Sequence, residues 1–522
     1  MNPTPDHAQS PGPFDGPIPA FDDGLPDDWY ERLISPRPGS LGPLRQLRTF
    51  GLLALVIAGF NLYAPADPDF TVRVFASLIV ATVAVPVWLW KVGLDRTFPL
   101  MPFLCTLYAL MYGVPVFLLH RYSAGEFNSA PIGPQYIAQA VEYAWLGMLL
   151  ILAGYYGPLH SLFAPIMPRF NLRWRDIRSV RTAAILFSII GVVVAIIGVR
   201  VPVSFAQLWG YFANLSLVGI AILFILQLIG RLDRRAMLLL WIVIIPAPSL
   251  AAVARGGVGG AAGFGLLLIV VYAAVTHRIP WTLLAAGTLA GLIVRSVETP
   301  YRLATWSGPL SDVSEVEKLE YFGELAYRAT IGGAVRPDAL IEAGGARLAV
   351  FPLFAEVIRD TPSHVPYWGG ATYYPILFKL IPRFLYPEKP EEVTGQTFGH
   401  RYGLIDASNL GTSVNFPQTV EMYANFGLRG VLIGMFIVGL FFRLIAAMFV
   451  HPGMGMGGVV AMSVLAGLTW DIESSASMVL GAVPWILIFI GAMHLLVCFV
   501  ESERRWQSLV LATPEGLAEG RK

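Results

Sequence analysis

A chain that enters hydrocarbon must satisfy its own backbone N–H and C=O groups, and this sequence carries about a dozen apolar runs long enough to impose that condition. Crossing roughly 30 Å of hydrocarbon takes about 20 apolar helical residues. The runs fall at 49–64, 74–92, 98–119, 136–157, 180–199, 208–229, 236–254, 256–276, 279–295, 428–449, 457–476 and 478–500. They are continuously apolar, without the period-two alternation of a barrel strand, so the expected class is an all-α polytopic membrane protein. With 55% hydrophobic and only 14% charged residues, the chain lies outside the soluble globular range.

Arginine and lysine in the short connections set the expected orientation. Lys91 and Arg96 flank one turn, Arg169, Arg173, Arg175, Arg178 and Arg181 another, Arg231, Arg234 and Arg235 a third, and Arg278 a fourth. The alternate connections hold single arginines, Arg73, Arg121, Arg200 and Arg255. Twelve spans then put both termini in the cytoplasm and a large polar loop, 296–427, outside. Residues 1–45, rich in Pro, Gly and Asp, read as a disordered cytoplasmic tail, and 46–522 as the membrane domain. Cys105 and Cys498 both fall in apolar runs, which leaves no disulfide framework. The net charge of +1 gives no reason to expect nucleic acid as a partner.

Inside the large loop, Ser314 followed by Glu317 forms a capping box, with apolar residues then recurring at helical spacing. The stretch from Ile381 to Pro390 is too rich in proline for a helix or sheet interior and is expected to be a fixed, extended groove wall. Beyond it, His400, Arg401 and Asp406 lie among Gly, Asn, Ser and Thr.

Two places combine charge with an unusual context. Ala254-Arg255-Gly256-Gly257 puts an arginine where one span ends and the next begins. Such a residue either holds an anionic ligand or reaches for the interface, and Gly256, Gly259, Gly260 and Gly263 have GxxxG spacings that suit close helix packing. In the second place, Glu421 precedes Asn425 by one helical turn, so both can face one cleft, although Arg429 offers the carboxylate a simple ion-pair partner.

At these residues the chain resembles bacterial oligosaccharide repeat-unit polymerases of the O-antigen (Wzy-type) class and, more remotely, the O-antigen ligases. Three patches carry the resemblance: Ala254 to Gly257, Ile381-Pro-Arg-x-x-x-Pro-x-Lys-Pro390, and Glu421-x-Tyr423-x-Asn425-Phe426-Gly427-x-x-Gly430. Arg255, Arg383, Lys389, Glu421, Tyr423, Asn425 and Gly427 match by position. The histidine that ligases carry before the final motif is missing, with Asn415 and Gln418 in its neighbourhood. The resemblance implies joining of polyprenyl-diphosphate-linked oligosaccharides on the outer face of the bacterial inner membrane, with no catalytic metal or cofactor. The implied partners are the lipid bilayer, a chain-length regulator and a flippase.

Release of a diphosphate is best stabilised, without a metal, by arginine forks. Arg255 and Arg401, with Glu421 and His400 as acid–base groups, are the expected catalytic residues. Arg295, Arg302, Arg383, Lys389, Tyr423 and Asn425 are expected to bind substrate, and Asp406 is a further candidate base. Two competing functions are a sugar transferase using Asp67 and Asp69 in the first outer loop, and a flippase or transporter, to which Glu142 within a span points.

Overall fold

The computed structural model describes residues 43–511 apart from 94, 96, 97, 123–131, 175, 198–211, 213, 255, 257, 307, 331–336, 382–384, 391–394, 410–412, 452, 453 and 468–472. The expected tail up to residue 42 therefore lies outside the described residues. Among the described residues every regular element is helical. The helices before the large loop are α1 (Pro43–Tyr63), α2 (Phe70–Lys91), α3 (Leu100–Phe117), α4 (Pro134–Tyr156), α5 (Ile177–Ile197), α6 (Leu215–Leu228), α7 (Arg234–Ala254), α8 (Val258–Thr276) and α9 (Trp281–Trp306). The loop holds α10 (Glu315–Thr330), α11 (Pro337–Leu348), α12 (Phe351–Asp360) and α13 (Gly395–Arg401). It is followed by α14 (Gln418–Phe449), α15 (Gly455–Gly467) and α16 (Ala476–Leu511).

Among the described residues, seven helices are long and apolar enough to cross a membrane: α2, α3, α4, α5, α7, α14 and α16. Shorter apolar helices cover Phe50–Tyr63, Leu215–Leu228, Gly263–Thr276 and Gly455–Gly467. Within the predicted run at 208–229 a described helix covers Leu215–Leu228, and the run at 457–476 overlaps the helix Gly455–Gly467; positions 198–211, 213 and 468–472 lie outside the described residues. Helix α9 continues past the predicted boundary at 295 to Trp306, through Pro300. Ser314 caps α10 as expected, its Oγ accepting from Glu317 N at 3.3 Å.

Small residues let the principal helices touch backbone to backbone. On α4, a Cβ added at Gly154 would lie 2.1 Å from the carbonyl oxygen of Phe436 on α14. One added at Gly439 on α14 would lie 2.0 Å from that of Ile151. The same close approach joins α5 to α6, where Gly219 faces Ser188 and Ala184, and Gly191 faces Ser216. Between lipid-soluble helices there is little hydrophobic drive to associate, so van der Waals contact at such small-residue seams holds them together.

The large loop covers one end of this bundle, where α4, α14 and α16 begin. There α12 buries Phe351, Phe354 and Val357, Phe354 meets Tyr423 edge to face at 5.7 Å, and Val350 N donates to Met111 O at 3.0 Å. The arginine-rich α4–α5 connection lies at the opposite end. Phe170 N donates to Met448 O, Leu172 N to Met454 O, and Asp176 N to the Glu501 carboxylate.

Candidate functional site

The site is organised by a break in α14. Gly427 has φ 63° and ψ −154°, a conformation closed to residues with a Cβ, and a Cβ there would also lie 2.8 Å from the Tyr367 hydroxyl oxygen. The break frees backbone acceptors on the preceding turn. Trp368 N donates to Ala424 O at 3.0 Å and Gly369 N to Asn425 O at 3.3 Å, so the loop segment at 367–372 binds to the opened helix like an added turn.

Asn425 locks this junction. Its Oδ1 accepts from Gly370 N at 2.8 Å, while Nδ2 donates to Thr372 Oγ1 and to Glu421 O, both at 2.9 Å. All three bonds belong to a side chain that is almost fully buried, where an unmade hydrogen bond is expensive. Gly430 completes the geometry, since a Cβ there would meet Met422 O at 2.2 Å.

Glu421 is fully buried, and its Oε2 accepts from Ala476 N, the first amide of α16, at 2.5 Å. A carboxylate at a helix N-terminus satisfies an open donor and meets the positive end of the helix dipole. Glu421 and Asn425 thus stand one turn apart as expected, but each faces a neighbouring segment rather than an open cleft. Tyr423 packs between the rings of Tyr143 and Phe354.

Arg401, at the end of α13, stacks over Trp368 with its Cζ 3.9 Å from the ring centroid, and it donates to Pro366 O at 2.7 Å. It therefore sits on the outer side of the junction that Asn425 makes from within. His400 Nε2 donates to Asn409 O at 3.0 Å, which in the neutral ring leaves Nδ1 as the basic nitrogen. Nearby, Asp406 Oδ1 accepts from the amide and hydroxyl of Ser408, and these bonds hold its carboxyl below the usual range. Lys389 is buried, with Nζ on Ile381 O at 3.0 Å.

A second group of expected residues gathers around the α7–α8 turn. Arg302 Nε donates to Gly256 O at 2.9 Å, its other nitrogen pairs with Glu298 at 2.6 Å, and its guanidinium lies over Trp306. Tyr301 adds a bond from its hydroxyl to Ala254 O at 3.0 Å. The backbone on both sides of Arg255 is thus held by α9. Arg255 and Arg383 themselves, and the side chain of Arg295, lie outside the described residues.

Two sets of ion pairs were not among the sequence candidates. Arg359 binds Asp360 through two nitrogens, at 2.8 and 2.9 Å, and Glu356 at 3.0 Å; the Asp360 hydrogen bonds, with both nearby carboxylates, keep it firmly protonated. Arg347 and Glu473 pair at 3.0 Å, and Asn415 donates to the same Glu473 oxygen at 2.5 Å. Two acids, Asp471 and Glu473, fall inside the predicted run at 457–476, where hydrocarbon would make both costly. Of the competing motif, Asp67 pairs with Arg73 at 2.5 Å and Asp69 precedes α2. Glu142 is half-buried on α4.

No curated protein and no solved structure matches the chain. One family model does, over residues 121–501, well over half of the sequence and including the loop, the α14 junction and most of α16. The chain therefore belongs to the family described as a domain of unknown function, DUF8712.

Proposed function

We propose that the protein is a membrane glycosyltransferase that polymerises polyprenyl-diphosphate-linked oligosaccharide repeat units into a surface polysaccharide. In this reading the chain has twelve spans in a bacterial inner membrane, cytoplasmic termini and the 296–427 loop on the external face. The observation that carries it is the junction itself: a large polar loop clamped to a broken membrane helix, presenting Arg401 on Trp368 with His400 beside it.

The chemistry asks little more. An acceptor sugar hydroxyl attacks the anomeric carbon of the donor, the bond from that carbon to the diphosphate oxygen breaks, and the hydroxyl proton passes to a base. His400 Nδ1 is positioned for that proton, since Nε2 is engaged with Asn409 O. Arg401 keeps further N–H donors beyond the one on Pro366 O, and these suit the charge growing on the leaving polyprenyl diphosphate. Tyr367, exposed beside the junction, offers a ring face for a sugar. Glu421, wholly enclosed, serves the reaction by fixing α16 against α14.

The test is direct. Purified protein in proteoliposomes, supplied with a polyprenyl-diphosphate-linked oligosaccharide, should give a ladder of longer glycans and free polyprenyl diphosphate. His400→Ala should lower the rate by roughly a hundredfold, a typical contribution of a general base. Movement of the lipid-linked substrate across the bilayer with no chain growth would replace this reading with the flippase.

A further inference from the structure

The segment from Tyr374 to Ile381 is inside out for a protein surface in water. Its one charged residue, Lys379, is only 7% exposed, whereas Leu377 is 75%, Tyr374 55% and Leu380 51% exposed, and Ile381 is exposed beside them. Water favours the opposite arrangement, with lysine outside and leucine covered. Lys379 reaches inward along α16: a Cβ added at Gly481 would lie 2.7 Å from Lys379 Cγ and 2.8 Å from Cδ. Glycine at 481 is what admits the aliphatic stem.

Position on α16 identifies what covers the leucines. Gly481, Ile488 and Leu495 follow one another at seven-residue intervals, and Phe499 lies one turn further, so they form one stripe along the helix. Ile488, Leu495 and Phe499 are all at least half exposed on a helix long and apolar enough to cross a membrane. Through Lys379 on Gly481 the segment sits at the head of that stripe, in the second turn of α16. Its short 3₁₀ turn at Tyr374–Phe378 cannot span anything.

We propose that Tyr374–Ile381 is a membrane-embedded anchor whose Leu377 and Leu380 insert into the hydrocarbon of the leaflet at the loop end of the bundle. The occupant is lipid acyl chain, continuous with the lipid around α16. The anchor would hold the junction at membrane level, because Tyr374 lies two residues beyond Thr372, the partner of Asn425. It does not depend on the transferase reading.

Nitroxide labels test it in the full chain reconstituted in vesicles of phosphatidylethanolamine and phosphatidylglycerol. Cys498, the exposed cysteine, is first replaced by serine. Single cysteines are then introduced by Leu377→Cys and Leu380→Cys, with Ile437→Cys on a spanning helix and Ser408→Cys in the polar loop as references. Collision with oxygen should exceed collision with a water-soluble nickel chelate at Leu377 and Leu380, as at Ile437. Nickel dominance at both, as at Ser408, would overturn the proposal. So would low collision with both reagents, which would mean that protein covers the patch. A leucine variant that fails to elute as wild type is replaced by Ile381→Cys, judged by the same rule.

Discussion

Replacing Asn425 with alanine tests the helix-break junction at its most loaded point. The side chain makes one bond to its own helix, Nδ2 to Glu421 O, and two to the loop, through Gly370 N and Thr372 Oγ1. Alanine removes all three and leaves the Gly370 amide and the buried Thr372 hydroxyl to find other partners. A lost hydrogen bond costs about 1 kcal/mol net and an orphaned buried group about 1–3 kcal/mol, so local opening of the junction should become easier by about 2–4 kcal/mol. At 1.4 kcal/mol per decade this is a roughly 30- to 1000-fold faster exchange of the Gly370 amide, measurable by hydrogen exchange in detergent or nanodiscs. Asn425→Asp keeps the acceptor for Gly370 N but sets a carboxylate against Glu421 O, so it should be no better than alanine at neutral pH. A change of less than about threefold at Gly370 in Asn425→Ala, with exchange unchanged across 367–372, would refute the assignment of Asn425 as the lock.

The helix seam gives a second expectation: Gly154→Ala or Gly439→Ala should lower the thermal midpoint in detergent by the equivalent of about 1–3 kcal/mol, while Gly265→Ala, with open space around its Cβ, should be near neutral. Asp406 is held below the usual carboxylate range, so its contribution to the 400–409 turn is present above the ordinary value and lost as pH falls through its lowered one. Exchange at Ser408 should therefore rise only in acid, below the ordinary carboxylate range of about 4, and Asp406→Ala should abolish that dependence. Arg255→Lys keeps the charge and loses the planar fork, and polymerisation should drop by roughly a hundredfold with membrane insertion intact; near-normal activity would shift the donor-binding role to Arg302 or Arg401.

Much of the fold was legible because hydrophobic length is a local property. Apolar runs near 74–92 and 136–157 became helices with ends shifted by a few residues, the run at 428–449 is the part of α14 beyond its break at Gly427, and Ser314 with Glu317 announced α10. The partners of the Glu421–Gly430 motif were not legible. Glu421 and Asn425 share a face on spacing alone, but the amide of Ala476 and the Gly370–Thr372 turn lie some fifty residues away, and nothing local points to them. Gly427 and Gly430 could have suggested a break, since two glycines three apart after a polar turn are poor helix formers. Lys379 illustrates the reverse problem: in sequence a lysine marks the wet side of a segment, and only Gly481 on α16 creates the slot that turns it inward. The same limit applies to Glu473, whose pairing with Arg347 and Asn415 joins three segments far apart in the chain.

The proposed activity is tested most directly by deleting the gene in its host and sizing the surface glycan on its lipid carrier or lipid acceptor. Loss of polymer with accumulation of single repeat units is the predicted result, reversed by the wild-type chain and not by His400→Ala. Polymer of unchanged amount and length in the deletion would contradict it.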